Sequence, residues 1–354
     1  MSGTITNSWN TTVFQYNAPA MSRAPSPTTQ KLSRRLSIAP MMDLTDRHCR
    51  YFHRLLTLHS LLYTEMVTTG ALLHGDVARH LSYNNEEHPI ALQLGGSDPA
   101  DLAKCAQIGL DYSYDEINLN CGCPSDRVQR GAFGACLMKE PKLVAESVAA
   151  MKAAVDIPVT VKCRIGVDDQ DDYQSLASFT EQLVEAKVDA LVVHARKAWL
   201  QGLSPKQNRE IPPLDHQRVY QLKKDFPNLE IILNGGVETL EQVELHMQHI
   251  DGVMIGRSAY YNPWILADAD QRIFNTSYAK GDVPLSELQV IEQMLPYIEQ
   301  QLSDGIKLSA MSRHLLGLFF GQPGARQFRR SISEAAHIPG AGIEVIEKAV
   351  SHLK

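Results

Sequence analysis

Short apolar runs recur along the chain from Ser37 onward, each closed by polar residues. They are Ser37–Met42, Leu61–Met66, Ile90–Gly96, Glu116–Gly122, Val159–Gly166, Ala190–Arg196, Glu230–Gly236 and Gly252–Arg257. Each is too short for a helix and reads as a buried parallel strand. The segments between them carry helical spacing. Pro141–Val155 sets Leu143, Val144, Val148 and Met151 on one face, and Tyr173–Lys187 behaves alike. Asp98-Pro99 reads as an N-cap with proline at the first helical position. Eight strands alternating with helices predict an α/β fold of the (β/α)8 TIM-barrel type. A doubly wound sheet is the competitor, but its usual strand count is about five or six.

After about residue 282 the strand pattern stops. Leu285–Ser303, Leu308–Phe320, Ala325–Ala336 and Ile343–Leu353 read as helices, with Gly321–Gly324 as a loop and Pro296 expected to kink or divide the first. The predicted organisation is an extension over 1–36, a barrel over 37–282 and a small C-terminal helical domain over 283–354. The extension is rich in Ser, Thr, Asn and Pro and has no apolar periodicity, so it reads as disordered, with Met21 as a possible true start. It lacks the apolar stretch of a secretory signal, and its amphipathic pattern is poor for an organellar presequence.

No window approaches the length of apolar sequence that spans a membrane. The net charge of −6 argues against a globally basic nucleic-acid binder and leaves room for a local basic patch. Six cysteines without paired spacing make no disulfide framework, which points to a reducing, cytoplasmic setting. Nothing in the pattern calls for a metal, and nothing suggests an obligate dimer, so a monomer is expected.

In a barrel of this kind, chemistry sits at the C-terminal ends of the strands. Those ends are polar here: Met41 and Asp43, Glu65, Gln93, Asn120 with Cys123, Lys162 with Arg164, His194 with Arg196, Asn234-Gly235-Gly236, and Gly256-Arg257. One such residue is more often a satisfied structural group than a ligand; eight ends facing one mouth make a site. Asn234-Gly-Gly236 followed one strand later by Gly256-Arg257 matches the phosphate-binding corner of such barrels. A glutamine such as Gln93 can meet both donor and acceptor edges of a flavin ring, and Lys162 would stabilise negative charge on it. The rival is a Schiff-base lysine at Lys162, which leaves Gln93, Asn120 and Cys123 unexplained. Cys121-Gly-Cys123-Pro124 lacks a second ligand pair for a metal. One of its thiols could donate a proton, and pattern alone does not choose between Cys121 and Cys123.

Taken together, these residues resemble the flavin-dependent tRNA-dihydrouridine synthases. The resemblance rests on Ala39-Pro-Met41 with Thr45-Asp46, Gln93-Leu-Gly95, Asn118-Leu-Asn-Cys-Gly-Cys-Pro124 followed by Gly131-Ala-Phe-Gly134, Val161-Lys-Cys-Arg164, His194-Ala-Arg196, Asn234-Gly-Gly236 and Gly256-Arg257. It covers about residues 36 to 335. The segment His194–Lys206 and Arg313-His-Leu-Leu-Gly-Leu-Phe with Pro323-Gly-Ala-Arg326 fit the DusA branch best. The resemblance implies FMN, NADPH as reductant, and uridine in the tRNA D-loop as substrate, at positions 20 and 20a for that branch. By motif, Pro40, Met41, Met42, Gln93, Lys162, His194, Asn234, Gly235, Gly236, Gly256 and Arg257 would hold FMN. Asn120 would lie near the substrate, and Cys123 would be the catalytic acid. Many members carry another small residue at position 121.

An RNA partner needs a positive surface. Residues 305–333 hold Lys307, Arg313, Arg326, Arg329 and Arg330 and no acidic residue. Arg326 and Arg329 are three apart, on one helical face. Lys206 and Arg209 add charge after the sixth strand. With the resemblance, Lys206, Arg209, Arg326 and Arg329 are the expected tRNA contacts. The competing functions are a dihydroorotate-type dehydrogenase acting on a free pyrimidine, and a tRNA-binding barrel without catalysis.

Overall fold

Nine parallel strands alternate with helices in the computed structural model, which describes residues 32–125, 131–276 and 285–353. They are β1 (Leu36–Ile38), β2 (Leu61–Tyr63), β3 (Val67–Thr68), β4 (Ile90–Gly95), β5 (Glu116–Asn120), β6 (Val159–Arg164), β7 (Ala190–His194), β8 (Glu230–Asn234) and β9 (Gly252–Ile255). The order runs β2-β1-β9-β8-β7-β6-β5-β4-β3, and a further pairing of β2 with β4 closes the ring. The eight expected strands are therefore those of a (β/α)8 barrel. The two-residue β3 is an added ladder on β4.

The period of two decides which side chains meet in the middle. Leu36, Ile38, Leu92, Leu94, Ile117, Leu119, Val161, Leu191, Val193, Leu233 and Val253 belong to the core between barrel and helices. The alternate positions Ala39, Tyr63, Ala91, Ala190, Val192, Ile232 and Met254 form a separate apolar cluster inside the barrel. Along β4, β5 and β6 the same inward parity carries Gln93, Glu116, Asn118, Asn120, Thr160 and Lys162. The barrel interior is thus apolar on one side and polar on the other.

The helix Pro99–Asp111 starts as expected, the Asp98 carboxylate accepting the Asp101 N–H at 2.9 Å with Pro99 in the first turn. Pro141–Ala154 and Tyr173–Glu185 also form within a residue or two of their expected bounds. The helix Glu287–Ser303 runs through Pro296 undivided. Leu308–Phe320 is not one helix: it is an α-turn, Leu308–Ser312, followed by a 3-10 turn, Arg313–Gly317. Its N–H and C=O groups tighten to i→i+3 bonds, such as Leu318 to Leu315 at 3.0 Å.

Residues 1–31, which hold most of the expected extension and Met21, lie outside the described residues, as does the expected boundary at 282. Arg34 and Arg35 belong to the barrel. Arg34 is buried against Glu116 at 2.6 Å and Glu230 at 2.9 Å, and Arg35 donates to the Ile273 carbonyl at 2.8 Å. The described residues from Leu32 onward form one compact unit. The C-terminal helices are fastened to the first barrel helix, Arg47–Leu56: Tyr51 stacks on Tyr297 at 3.9 Å between ring centres, and Arg47 donates to Gln301 at 2.6 Å. Among the described residues no helix is long and apolar enough to cross a membrane.

Candidate active site

All the strand-borne candidates share the inward parity. Gln93, Asn120, Lys162, His194 and Asn234 stand at or near the C-terminal ends of β4 to β8, so one rim of the barrel collects them. Neighbouring strands hold them in register, with Asn120 opposite Lys162, and His194 opposite Asn234.

Lys162 donates to Asn234 Oδ1 at 3.0 Å, and Asn234 Nδ2 donates to the Met254 carbonyl at 2.7 Å. A neutral amide is therefore the partner of this ammonium. Burial, and after it the charge of Arg164, pulls Lys162 down to about 8. His194 has a buried Nδ1 without a hydrogen-bond partner, and burial together with Arg164, Lys162 and Arg196 holds the ring well below its ordinary value. The chain then turns at Gly235 (φ +108°) and Gly236 (φ +75°). A Cβ at Gly236 would come within 2.4 Å of Leu214, and one at Gly235 within 3.2 Å of His194 Nε2. Only glycine makes this turn beside the imidazole. Gly256 precedes the short helix Arg257–Tyr261, and a Cβ there would meet nothing nearer than Ala39 at 3.8 Å. Arg257 pairs with Glu210 at 2.9 Å at the surface.

The cationic character extends beyond the expected set. Arg164 donates from Nε to the Gly122 carbonyl at 2.8 Å and from Nη1 to Lys197 and Asn208 carbonyls at 3.0 Å each, tying β6 to the cysteine loop and to the loop after β7. Arg196 donates to the Pro212 carbonyl. Partial desolvation and then the charge of Arg257 lower Arg209. Sequence reasoning places Arg164 and Arg196 at the polar strand ends without giving either a role; the fold shows Arg164 fixing the cysteine loop and the loop after β7. A mouth so lined attracts an anion. An orphaned imidazole nitrogen, an ammonium held only by an amide and a glycine turn fit a planar, phosphate-bearing cofactor.

The structure separates the two cysteines. Cys121 is fully buried, and burial pushes its thiol far up. Cys123 is half-buried, its Sγ 3.6 Å from Ser125 Oγ. Its loop is held at three points. Asn120 Oδ1 accepts the Gly122 and Cys123 N–H groups at 3.1 and 3.0 Å, Arg164 grips the Gly122 carbonyl, and Ala135 N–H donates to the Cys123 carbonyl at 2.9 Å. Asn120 also donates to Gln93 Oε1 at 2.8 Å, and Gln93 donates to Asn118 Oδ1 at 2.8 Å. Gln93 keeps one N–H and one lone pair for a ligand.

Pro40 and Met41 follow β1, with Met41 N–H donating to Thr45 Oγ1 at 3.0 Å, whereas Met42 is exposed at the rim. Lys206 and Arg209 are exposed in the loop after β7. Arg326 and Arg329 stand apart on the helix Ala325–Ala335, Arg326 exposed and Arg329 half-buried. Two other cations of that basic run are engaged: Arg330 pairs with Glu334 at 2.7 Å, and Arg313 pairs with Asp46. His314, fully buried, meets the other oxygen of Asp46 at 3.0 Å. Asp46 is also the N-cap of the first barrel helix, accepting from His48 and Cys49 at 3.0 Å. Burial alone would raise its carboxyl; the bonds from His314, Cys49 and Arg313 hold it far below the usual carboxylate range.

A closed parallel barrel with an anion-attracting, thiol-bearing mouth is the architecture of a barrel enzyme. The family model for dihydrouridine synthase (Dus) matches residues 37–353, and the chain belongs to that family. It is 62% identical over 321 residues to the tRNA-dihydrouridine(20/20a) synthase of Vibrio cholerae serotype O1, covering 90% of this chain and 96% of that one. The enzymes of the same name from Escherichia coli strain K12 and Yersinia pestis are 57% identical over 330 residues and 55% over 337. These alignments cover 93% and 95% of this chain, and 94% and 96% of the relatives.

Proposed function

We propose that this enzyme reduces uridine to 5,6-dihydrouridine in the D-loop of tRNA, at positions 20 and 20a, with FMN as cofactor and NADPH as reductant. The relatives' shared name supports the substrate and positions. The observation that carries the reading is the convergence, at one end of the barrel, of the half-exposed Cys123 with the Lys162–Asn234–Gly235–Gly236 corner.

Pro40, Met41, Met42, Gln93, Lys162, His194, Asn234, Gly235, Gly236, Gly256 and Arg257 would hold the cofactor. When bound, FMN supplies hydride transfer to C6 of the uracil ring, its electrons coming from NADPH. Lys162 places an ammonium where negative charge must be tolerated, and Gln93 offers its remaining donor and acceptor. Cys123 Sγ gives its proton to C5, completing the reduction, and regains one from solvent through its exposed side. Asn120 fixes the loop on which that thiol rides. Lys206, Arg209, Arg326 and Arg329 contact tRNA phosphates. The target base must leave its stack to reach the mouth, which favours loop uridines.

The test follows the bound flavin under anaerobic conditions. Reduced with NADPH, it is expected to be reoxidised by unmodified tRNA and not by free uridine or dihydroorotate. Reoxidation by a free pyrimidine alone would move the enzyme to small-molecule metabolism, and a purified protein without flavin would remove the cofactor assignment.

A further inference from the structure

A continuous chain of buried side-chain hydrogen bonds crosses the polar half of the barrel, and chemistry allows it only one direction. It begins at Glu116, fully buried, whose Oε2 accepts from Arg34 Nε at 2.6 Å. A carboxylate only accepts, so the Thr160 hydroxyl, 2.6 Å from Glu116 Oε1, must donate its one proton there. Thr160 Oγ1 is then an acceptor for Asn118 Nδ2 at 2.9 Å, which turns Asn118 Oδ1 toward Gln93 Nε2 at 2.8 Å. Gln93 Oε1 in turn faces Asn120 Nδ2 at 2.8 Å, leaving Asn120 Oδ1 to accept the Gly122 and Cys123 N–H groups. Gln93, Asn118 and Thr160 are paired in register across β4, β5 and β6, so they form one rung of the barrel.

We propose that Glu116, Thr160 and Asn118 are positioning residues: they set which way round the Gln93 and Asn120 amides stand, and through Asn120 they hold the backbone that presents Cys123. No amide in this chain can be reversed alone, because a reversal at any link sets donor against donor or acceptor against acceptor. The purpose of the device rests on the proposed role of Cys123 as proton donor, but its existence is testable without flavin or tRNA.

The experiment compares Thr160→Val, Thr160→Ser and Tyr63→Phe. The last removes a donor to the same Glu116 oxygen, at 2.6 Å, that lies outside the chain. Backbone hydrogen exchange at Gly122 and Cys123 and the rate of Cys123 alkylation against pH, both resolved by peptide mass spectrometry, are the readouts. Thr160→Val is expected to speed exchange at the two amides about tenfold, the worth of one net hydrogen bond, and to change Cys123 alkylation. Thr160→Ser and Tyr63→Phe are expected to match the wild type. Equal behaviour of Thr160→Val and Tyr63→Phe would overturn the proposal, since a general loss of stability would then explain both. Should Thr160→Val not fold, the wild-type protein decides: unprotected Gly122 and Cys123 amides would refute the proposal, and slow exchange at both would support it. If these arms succeed while tRNA fails to reoxidise the flavin, the proposed function falls and the chain stands.

Discussion

Lys162 carries a charge that the folded protein holds at a cost. Its ammonium is pulled down to about 8 from the ordinary lysine value of 10.5, with a neutral amide as partner. A group whose folded value is lowered destabilises the fold while charged; the penalty is full below about pH 8 and disappears as pH rises toward 10.5. At about 1.4 kcal/mol per pH unit, the penalty at neutral pH is on the order of 3 kcal/mol. Replacing Lys162 by Met removes it and leaves Asn234 Oδ1 without its donor, which costs about 1 kcal/mol. The flavin-free Lys162→Met protein is therefore expected to be more stable than wild type by about 2 kcal/mol at pH 7. That advantage should vanish, and reverse slightly, near pH 10. Urea unfolding of both flavin-stripped proteins across this range is the assay, with flavin affinity measured alongside. Affinity should fall in the variant, because the ammonium stands 3.0 Å from the Asn234 amide at that corner. A variant less stable than wild type at pH 7, or a difference that does not change with pH, would refute the reasoning.

Three other outcomes follow from the site and its supports. Cys123→Ala should retain FMN and be reduced normally by NADPH, yet its flavin should be reoxidised by tRNA about 10²- to 10⁴-fold more slowly, measured by stopped flow; normal reoxidation would remove Cys123 from the chemistry. Arg326→Glu should weaken tRNA binding and lower the magnitude of the salt slope by about 0.7 to 0.9 per lost phosphate contact, without changing flavin content. Asp46→Asn keeps an N-capping side chain but loses the charge facing Arg313 and His314, so it should destabilise by about 1–3 kcal/mol at pH 7. Because the Asp46 carboxyl is depressed, its contribution is present above the ordinary value of 3.8 and is lost as pH falls below it. The gap between wild type and Asp46→Asn should therefore narrow in acid, as followed by thermal unfolding at pH 7, 4 and 3.

The barrel was legible because parallel strands buried on both faces appear as short apolar runs, and their ends stay polar where they line a mouth. Gln93, Asn120, Lys162, His194 and Asn234 could be picked out for that reason alone. Residue pattern alone does not choose between Cys121 and Cys123, two apart in the turn after β5; the motif resemblance points to Cys123, and the fold buries Cys121 while leaving Cys123 half-exposed. Asn118 and Thr160 lay inside runs scored as apolar, and their polarity becomes meaningful only when β4, β5 and β6 stand side by side. The same limit hid the fate of Arg313: in sequence it belongs to a basic run, whereas in three dimensions its charge is spent on Asp46. Pro296 removes an N–H donor and is expected to kink or divide its helix; the helix is not divided, and the packing of Tyr297 on Tyr51 and Gln301 on Arg47 holds the turn that follows the proline.

The grip of Arg313 and His314 on Asp46 has a metrical consequence. Asp46 lies five residues beyond Met41, at the start of the helix that leaves the mouth, so the C-terminal helices are pinned to the rim of the barrel rather than hung from a linker. On the proposed function, an RNA seated on Arg326 and Arg329 meets a gauge of fixed length, and the nucleotide that reaches the thiol is chosen by span instead of by reading its neighbours.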